Sequence, residues 1–174
     1  MSTIRIIGVD PGSRSTGYGI VDADGMRLVH VASGFVRSSA GDWSDRLRAI
    51  FDGLDAVIDT HAPRELAIEK VFLHRNPSSA LKLGQARGVA ILAGARRSLA
   101  VHEYSPNEIK QAVTGKGHAS KEQIQYMTRI LLSLREPPQT DEADALAVAI
   151  CRAHLRIAMA RRERMMTGVA GGSR

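Results

Sequence analysis

Cysteine is almost absent from this sequence, because Cys151 is the only one among its 174 residues. A single cysteine excludes a disulfide within the chain and any zinc site that needs several thiolates. Cys151 lies among small apolar residues in a helical pattern. We therefore expect it in the hydrophobic core and not as a nucleophile.

Long hydrophobic runs are also missing. No stretch approaches the roughly 18 consecutive apolar residues that a membrane span needs. The chain passes from Met1 directly into a strand-like segment, without the basic flank and apolar stretch of a signal peptide. We find no internal repeat in the sequence. These features predict a cytoplasmic protein without membrane contact, built as a single domain over residues 1–160.

Basic residues outnumber acidic ones. Lys and Arg number 24 against 18 Asp and Glu, which gives a net charge of +6 at pH 7. A basic balance favours a polyanionic partner, because neutralised phosphates release counterions. Part of the excess lies near the C-terminus, in Arg161, Arg162, Arg164 and Arg174. We expect residues 161–174 to form a basic, flexible tail.

The hydrophobic pattern begins as strands and then alternates between helices and strands. Short turns separate three predicted strands, at 4–10, 17–21 and 27–36, which favours an antiparallel start. The later predicted elements are a helix around 47–58, a strand at 65–72, a helix from 77 to about 97, a strand at 99–104, helices capped by Ser105 and Ser120, and a last helix from Thr140 to about Ala160. This order predicts an α/β fold, a five-stranded mixed sheet flanked by helices, with the first strand central.

Two acidic residues lie on predicted strands. Asp10 ends the first strand before Pro11-Gly12, where it fits an ordinary turn residue as well as a ligand-binding residue at a strand end. Glu69 lies inside an apolar strand, where a carboxylate needs a cation, a hydrogen-bond network or a raised pKa. A salt bridge and a metal site both satisfy that need, and the sequence leaves them open.

Two further carboxylates, Asp141 and Asp144, begin the last helix and share one face of it. Favourable interaction with the helix dipole alone explains such a pair. Together with Asp10 and Glu69, however, they make four oxygen ligands without His or Cys, a set that suits Mg²⁺, with Mn²⁺ as a substitute. Two such ions about 4 Å apart support phosphodiester hydrolysis. The four residues therefore predict a nuclease.

Four segments resemble the RuvC family of Holliday junction resolvases. They are 8–19 (GVDPGSRSTGYG), 67–72 (AIEKVF), 79–90 (SALKLGQARGVA) and 141–147 (DEADALA). Their order and spacing match from about residue 4 to about residue 155. Some relatives have His where this chain has Asp144, so this chain keeps the version with four carboxylates.

The resemblance implies a ribonuclease H-like fold and a homodimer. It further implies Mg²⁺-dependent, paired nicking of four-way junction DNA, and work alongside the branch-migration complex of RuvA and RuvB. Catalysis and metal binding would fall to Asp10, Glu69, Asp141 and Asp144. Functional basic residues of the family match Lys110 and Lys121, and a functional aromatic residue matches Phe72.

Several other residues are candidate DNA contacts, although ordinary solvent-exposed or core positions explain each of them equally well. They are Lys116, His74, Arg75, Lys82 and Arg87. The helix from Pro77 carries the small residues Ala80, Gly84 and Gly88, which permit close packing either on its own sheet or across a dimer. Trp43 and His118 are isolated, and the sequence assigns them no role.

Three alternatives compete with a junction nuclease. An actin-like or sugar-kinase-type ATPase needs a second domain and a second Asp-x-Gly turn, and Tyr18 stands where a Walker A loop needs Lys. A non-catalytic scaffold for branched DNA would be expected to lose carboxylates. A nuclease of the same superfamily that acts on RNA–DNA hybrids differs only in its substrate, and the four carboxylates do not exclude it.

Overall fold

Five strands and five helices make up the described part of the chain, residues 3–38, 40–70 and 76–169 of a computed structural model. In chain order they are β1 Ile4–Asp10, β2 Ser15–Asp24, β3 Arg27–Arg37, α1 Trp43–His61, β4 Glu65–Glu69, α2 Pro77–Arg96, β5 Ala100–Tyr104, α3 Pro106–Thr114, α4 Lys121–Leu131 and α5 Thr140–Val169. No helix in these ranges is long and apolar enough to cross a membrane.

The strands form one mixed sheet in the order β3-β2-β1-β4-β5. The β1–β2 and β2–β3 pairs are antiparallel, whereas β1–β4 and β4–β5 are parallel. The five-stranded mixed sheet with a central first strand, predicted from the sequence, is therefore confirmed. Parallel pairing of β1 and β4 brings the C-terminal ends of these two strands to the same edge of the sheet.

Each face of the sheet is covered by helices. Ile6 of β1 belongs to a core cluster with residues of α3, α4 and α5, whereas its neighbour Ile7 belongs to a second cluster with α1 and α2. Both isoleucines are fully buried. Successive residues of a strand point to opposite faces, and full burial of each such side chain contributes about 1.5–3 kcal/mol. The unbroken apolar run in β1 is thus explained by burial on both sides.

Glycines let α5 pack directly on the backbone of β1 and β2. A Cβ atom at Gly8 would lie 2.2 Å from the carbonyl oxygen of Ala145, and one at Gly17 would lie 2.4 Å from that of Asp141. Neither position has room for a larger residue. This close contact fixes the start of α5 over the end of β1.

An ion pair that the sequence did not reveal joins α5 to β4. Arg152 donates two hydrogen bonds to Glu65, from Nε to Oε2 at 2.7 Å and from its terminal nitrogen to Oε1 at 3.1 Å. Both residues are buried, and Arg156 adds a contact of 3.5 Å to the same carboxylate. Removing one partner of such a buried pair leaves an uncompensated charge, which costs about 3–5 kcal/mol.

Several predicted boundaries were wrong. The strand predicted at 17–21 is β2, which spans Ser15–Asp24. The strand predicted at 65–72 ends at Glu69, so this carboxylate closes the strand instead of lying within it. The last helix continues to Val169, nine residues beyond the predicted end, because residues 161–169 are rich in the good helix formers Arg and Met. Division into a domain of 1–160 and a tail of 161–174 stays a prediction. Cys151 is fully buried, as expected of a core residue.

The predicted helix starts are confirmed. The side chain of Asn76 caps α2, which has Pro77 in its first turn. Ser105 with Glu108, and Ser120 with Gln123, form reciprocal capping boxes at the starts of α3 and α4. Because β5 ends at Tyr104, the Ser105 cap leads the chain directly from the end of this strand into α3.

Candidate active site

Asp10 and Glu69 lie side by side at one edge of the sheet. Each is the last residue of its strand, and the strands are parallel neighbours in which Val9 pairs with Ile68. The next residue of each strand therefore brings the two carboxylates together.

The start of α5 supplies the second half of the site. Asp141 and Asp144 lie in its first turns, and the carbonyl of Asp141 rests against Gly17, the β2 partner of Asp10. Their three-residue spacing turns both side chains to the same side of the helix. The close packing of α5 on β1 and β2 thus directs the pair towards the sheet edge.

Three of the carboxylates line one cavity of about 320 Å³ together with two lysines, Lys110 and Lys121. The three are Asp10, Glu69 and Asp144. Apolar side chains form the rest of its wall: Pro106, Ile109, Ile124, Ala147 and Val148. Asp141 lines an adjacent groove instead. The structure therefore places three of the four predicted acidic residues in one cavity and Asp141 in the adjacent groove, three residues before Asp144 on α5.

Burial and mutual repulsion make the charged form of these acids unfavourable. Burial is the main cause that raises the pKa of Asp10 to about 7; the charges of Asp144, Glu69 and Asp141 contribute to this rise, and Lys121 opposes it. Burial is also the main cause of the raised pKa of Glu69 and of Asp144. A bound cation would relieve this repulsion, so a cluster of carboxylates with raised pKa values attracts cations.

Two lysines provide part of the missing positive charge. The Nζ atom of Lys121 lies 3.7 Å from Oδ2 of Asp144, and its charge lowers the pKa of that carboxyl against the effect of burial. Lys110 and Lys121 both oppose the raised pKa of Glu69. The side chain of Lys121 is 74% exposed, so it is free to exchange this carboxylate for a phosphate.

The donor set fits a hard divalent cation. All four acidic side chains offer oxygen, which suits Mg²⁺ or Mn²⁺. Within residues 3–38, 40–70 and 76–169, no set of three or more His, Cys, Asp or Glu side chains stands ready to enclose a metal ion. Mg²⁺ needs no such enclosure, because it keeps several waters and binds through one or two carboxylates plus substrate phosphates. The residues present therefore fit this ion.

The other predicted DNA contacts are spread over different surfaces. Lys116 is exposed in the loop after α3. The ammonium of Lys82 lies 5.6 Å from the ring centre of Trp43, which also donates a hydrogen bond of 2.6 Å to Gln85. The sequence assigned Trp43 no role, and the structure shows that it joins α1 to α2. Three candidates, Phe72, His74 and Arg75, lie outside the described residues.

Arg87 holds the backbone of Glu69 in place. Its Nε donates a hydrogen bond of 3.0 Å to the backbone carbonyl of Glu69, and a terminal nitrogen binds the carboxylate of Glu103. Its side chain is only 19% exposed. Sequence reasoning missed this contact. The one available signal was the position of Arg87 beside Ala86, on the edge of the face that α2 turns towards the sheet.

Comparisons with known proteins identify the family of this chain. The family model described as "Crossover junction endodeoxyribonuclease RuvC" matches residues 6–152. A protein of that name from Pseudomonas fluorescens is 54% identical over 151 residues, 87% of each chain. Its namesake from Marinobacter nauticus is 50% identical over 167 residues, which cover 96% of this chain and 95% of the relative.

Solved structures give the same result for the fold. The structure of T. thermophilus RuvC in complex with Holliday junction substrate superposes with a TM-score of 0.84 and 30% identity, covering 89% of this chain and 96% of that one. The yeast mitochondrial Holliday junction resolvase Ydc2 is 9% identical with a TM-score of 0.63, covers 93% of this chain and 85% of its own, and supports the fold alone. The fold is ribonuclease H-like, and the chain belongs to the RuvC family of crossover junction endodeoxyribonucleases.

Proposed function

We propose that this protein is a Mg²⁺-dependent endonuclease that resolves four-way DNA junctions by paired, symmetric cuts during recombination and repair. One observation carries the proposal: three half-buried, mutually repelling carboxylates and two lysines line a single cavity at the sheet edge. The relatives are named crossover junction endodeoxyribonucleases, and one solved relative is in complex with Holliday junction substrate.

Asp10, Glu69, Asp141 and Asp144 would hold the metal, with Mn²⁺ as a substitute for Mg²⁺. We propose two ions, as in other enzymes that hydrolyse phosphodiesters. Such ions supply a water of lowered pKa and stabilise the charge on the leaving oxygen. The protein itself supplies the negative, partly desolvated cluster that makes cation binding favourable.

The lysines orient the phosphate. Lys110 on α3 and Lys121 at the start of α4 face the carboxylates across the cavity. A phosphate between them would receive two positive charges where negative charge develops in the transition state. Lys121 would then give up its contact with Asp144, and this carboxylate would be free to hold the metal.

Other surface residues would guide the DNA. Lys116, Lys82, Phe72 and Arg75 remain proposed contacts that place the strand in the cavity without reading its sequence. For Arg87 the hydrogen bond to the Glu69 carbonyl favours a supporting role over direct contact with DNA. Cooperation with the branch-migration complex of RuvA and RuvB, and a cytoplasmic location, belong to the same proposal.

A homodimer would give the enzyme two sites for a junction with two-fold symmetry. Support comes from a stripe on α2 formed by Leu81, Gly84, Gly88 and Leu92, spaced three or four residues apart. Leu81 is 69% exposed and Leu92 57% exposed, and a Cβ atom at either glycine would meet nothing within 4 Å. We propose that this α2 stripe packs against its copy in a second chain.

Cleavage of a labelled synthetic four-way junction tests the proposal. We expect symmetric nicks with Mg²⁺ and none with a chelator, and no nicks in linear duplex or in an RNA–DNA hybrid. Asp141→Asn should abolish cleavage while junction binding persists. Glu142→Gln is the matched control, because it removes a neighbouring charge from the same helix and should still cut.

Each failure of this assay points to a different alternative. Tight junction binding without cleavage, over several sequences and metals, would contradict the nuclease and favour a branched-DNA scaffold. Cleavage of the hybrid alone would keep the chemistry and overturn the substrate.

A further inference from the structure

A second opening, lined by Asp141, lies beside the cavity. This groove, which we name the flanking groove, has a volume of about 750 Å³. Residues from the ends of β2 and β3 form one wall, and residues from α4 and the start of α5 form the other. Its volume falls in the range of pockets that hold small organic ligands, roughly 300–1,000 Å³.

The sheet wall combines positive charge with an aromatic ring. Arg14 and Arg37 are exposed, and Arg37 pairs in register with Ser15, so both arginines lie at the same end of the β2–β3 hairpin. The guanidinium of Arg37 lies 5.2 Å from the ring centre of Phe35, which is half-buried. Two arginines beside a ring are the side chains that bind phosphates and stack on bases.

The backbone that presents Arg14 is firmly held. The amide of Ser38 donates a hydrogen bond of 3.0 Å to the Arg14 carbonyl, and the guanidinium of Arg46 binds the carbonyls of Ser13 and Ser38. Since residue 14 follows Asp10 by one short turn, this brace fixes the arginine relative to the carboxylates. A rigid wall of this kind loses little entropy when a ligand binds.

The opposite wall offers amides. Gln125 on α4 donates a hydrogen bond of 2.6 Å to the carbonyl of Pro138, which anchors the segment before α5. Gln139 is exposed beside it and starts the chain into α5, where its carbonyl accepts the amide of Ala143 at 2.8 Å. An exposed glutamine can donate and accept at the edge of a base.

We propose that the flanking groove is a nucleotide-binding subsite for the DNA strand next to the phosphate that is cut. Arg14 and Arg37 bind phosphates, Phe35 stacks on a base, and Gln139 contacts the base edge. Asp141 lines the groove and Asp144, three residues further along α5, lines the cavity, so a strand whose phosphate sits in the cavity would continue into the groove. This inference rests on the proposed function and adds a specificity-determining surface to it.

The salt dependence of junction binding tests the phosphate contacts. Binding is measured with the full chain carrying Asp10→Asn, so that no strand is cut, and with added Arg14→Gln or Arg37→Gln. Each lost phosphate contact should make the negative slope of log K against log salt concentration shallower by about 0.9. Arg27→Gln is the matched control, because it removes an exposed arginine from the other end of β3 and should leave the slope unchanged.

Stacking is tested with the fluorescent base 2-aminopurine placed next to the cut site of the junction. Phe35→Leu should at least halve the quenching that the Asp10→Asn protein produces, whereas binding of linear duplex should not change. Slopes for Arg14→Gln and Arg37→Gln equal to that of Arg27→Gln, or unchanged quenching in Phe35→Leu, would overturn the subsite.

Cleavage by the otherwise unaltered protein is measured in parallel. If it cuts the junction while the groove variants behave like the control, the subsite is wrong and the proposed function stands. If it neither binds nor cuts the junction, the proposed function fails and takes the subsite with it.

Discussion

Among the four acidic residues, Asp10 has the most strongly raised pKa. Its pKa of about 7 in the folded chain exceeds the ordinary value of 3.8, mainly because of burial. The folded protein therefore holds a proton that the unfolded chain releases between these pH values. Without metal, the free energy of unfolding should fall as the pH rises from about 4 to about 7. This is the cost of keeping a metal-binding carboxylate inside the protein.

The variant Asp10→Asn should accordingly stabilise the metal-free protein. A pKa raised from 3.8 to about 7 corresponds to roughly 4 kcal/mol of unfolding free energy, gained fully above pH 7 and lost towards pH 4. Denaturant unfolding at pH 4 and pH 8, in the presence of a chelator, measures this difference in unfolding free energy. Asp52→Asn, at an exposed position, is the control. An Asn variant that is less stable than the parent at pH 8 would contradict the repulsion described here.

Arg87 is expected to act on cleavage through Glu69. Its side chain holds the backbone where β4 ends, and loss of such supporting contacts commonly costs about 10–100-fold in metal affinity or activity. Arg87→Gln should therefore raise the Mg²⁺ concentration for half-maximal cleavage by about that factor, and Arg87→Lys should recover part of the loss. An unchanged Mg²⁺ requirement together with weaker junction binding would instead make Arg87 a DNA contact.

At the scale of single residues, the sequence predicted the four acidic residues but not the contacts that hold them in place. Residue type and spacing led to Asp10, Glu69, Asp141 and Asp144, because few structures need four carboxylates in that pattern. The contact of Arg87 with a backbone carbonyl was not predictable, since it depends on how far along β4 the helix α2 is placed. Side chain to backbone contacts of this kind leave no pattern in residue type.

Among the elements, the packing of α5 on the sheet decides whether a site exists at all. Gly8→Ala would place a methyl group 2.2 Å from the Ala145 carbonyl, so α5 would have to shift away from β1. We expect a loss of at least about 1–3 kcal/mol in unfolding free energy, with a loss of cleavage in the folded fraction. Thermal unfolding checks it against Gly117→Ala, where the nearest atom lies 3.9 Å away. Equal stability of the two variants would contradict the account.

Element types were more predictable from the sequence than their ends. Cap residues such as Asn76, Ser105 and Ser120 fixed three helix starts, because a cap satisfies backbone amides locally. The ends of β4 and α5 were missed. An apolar run does not show where strand pairing stops, and the Gly- and Ser-containing end concealed the helix-forming residues before it.

For the whole molecule, the α2 stripe should control assembly. Leu81→Glu would place a charge at one end of the α2 stripe, within the proposed contact, and we expect the chain to sediment as a monomer with an unchanged fold. Leu92 offers a second position, and Met26→Glu, which changes an equally exposed residue of the β2–β3 turn, is the control. A dimer that survives both leucine variants would contradict an interface on α2.

The sheet order was predictable because short turns force antiparallel neighbours and helical connections force parallel ones. The division of the four carboxylates between the cavity and the flanking groove was not predictable. It arises where α4, α5 and the β2–β3 hairpin meet, and only the assembled fold brings those three segments together. Sequence patterns describe each segment well and the space between segments poorly.

The most direct test of the central claim uses a supercoiled plasmid that extrudes a cruciform. Paired cuts across that junction give linear DNA, whereas a single cut gives a nicked circle. We predict that the protein with Mg²⁺ produces linear DNA, and that Asp141→Asn loses far more activity than the roughly 10–100-fold typical of a supporting residue. Nicked circles as the final product, or cleavage that survives in Asp141→Asn, would contradict a symmetric, carboxylate-dependent resolvase.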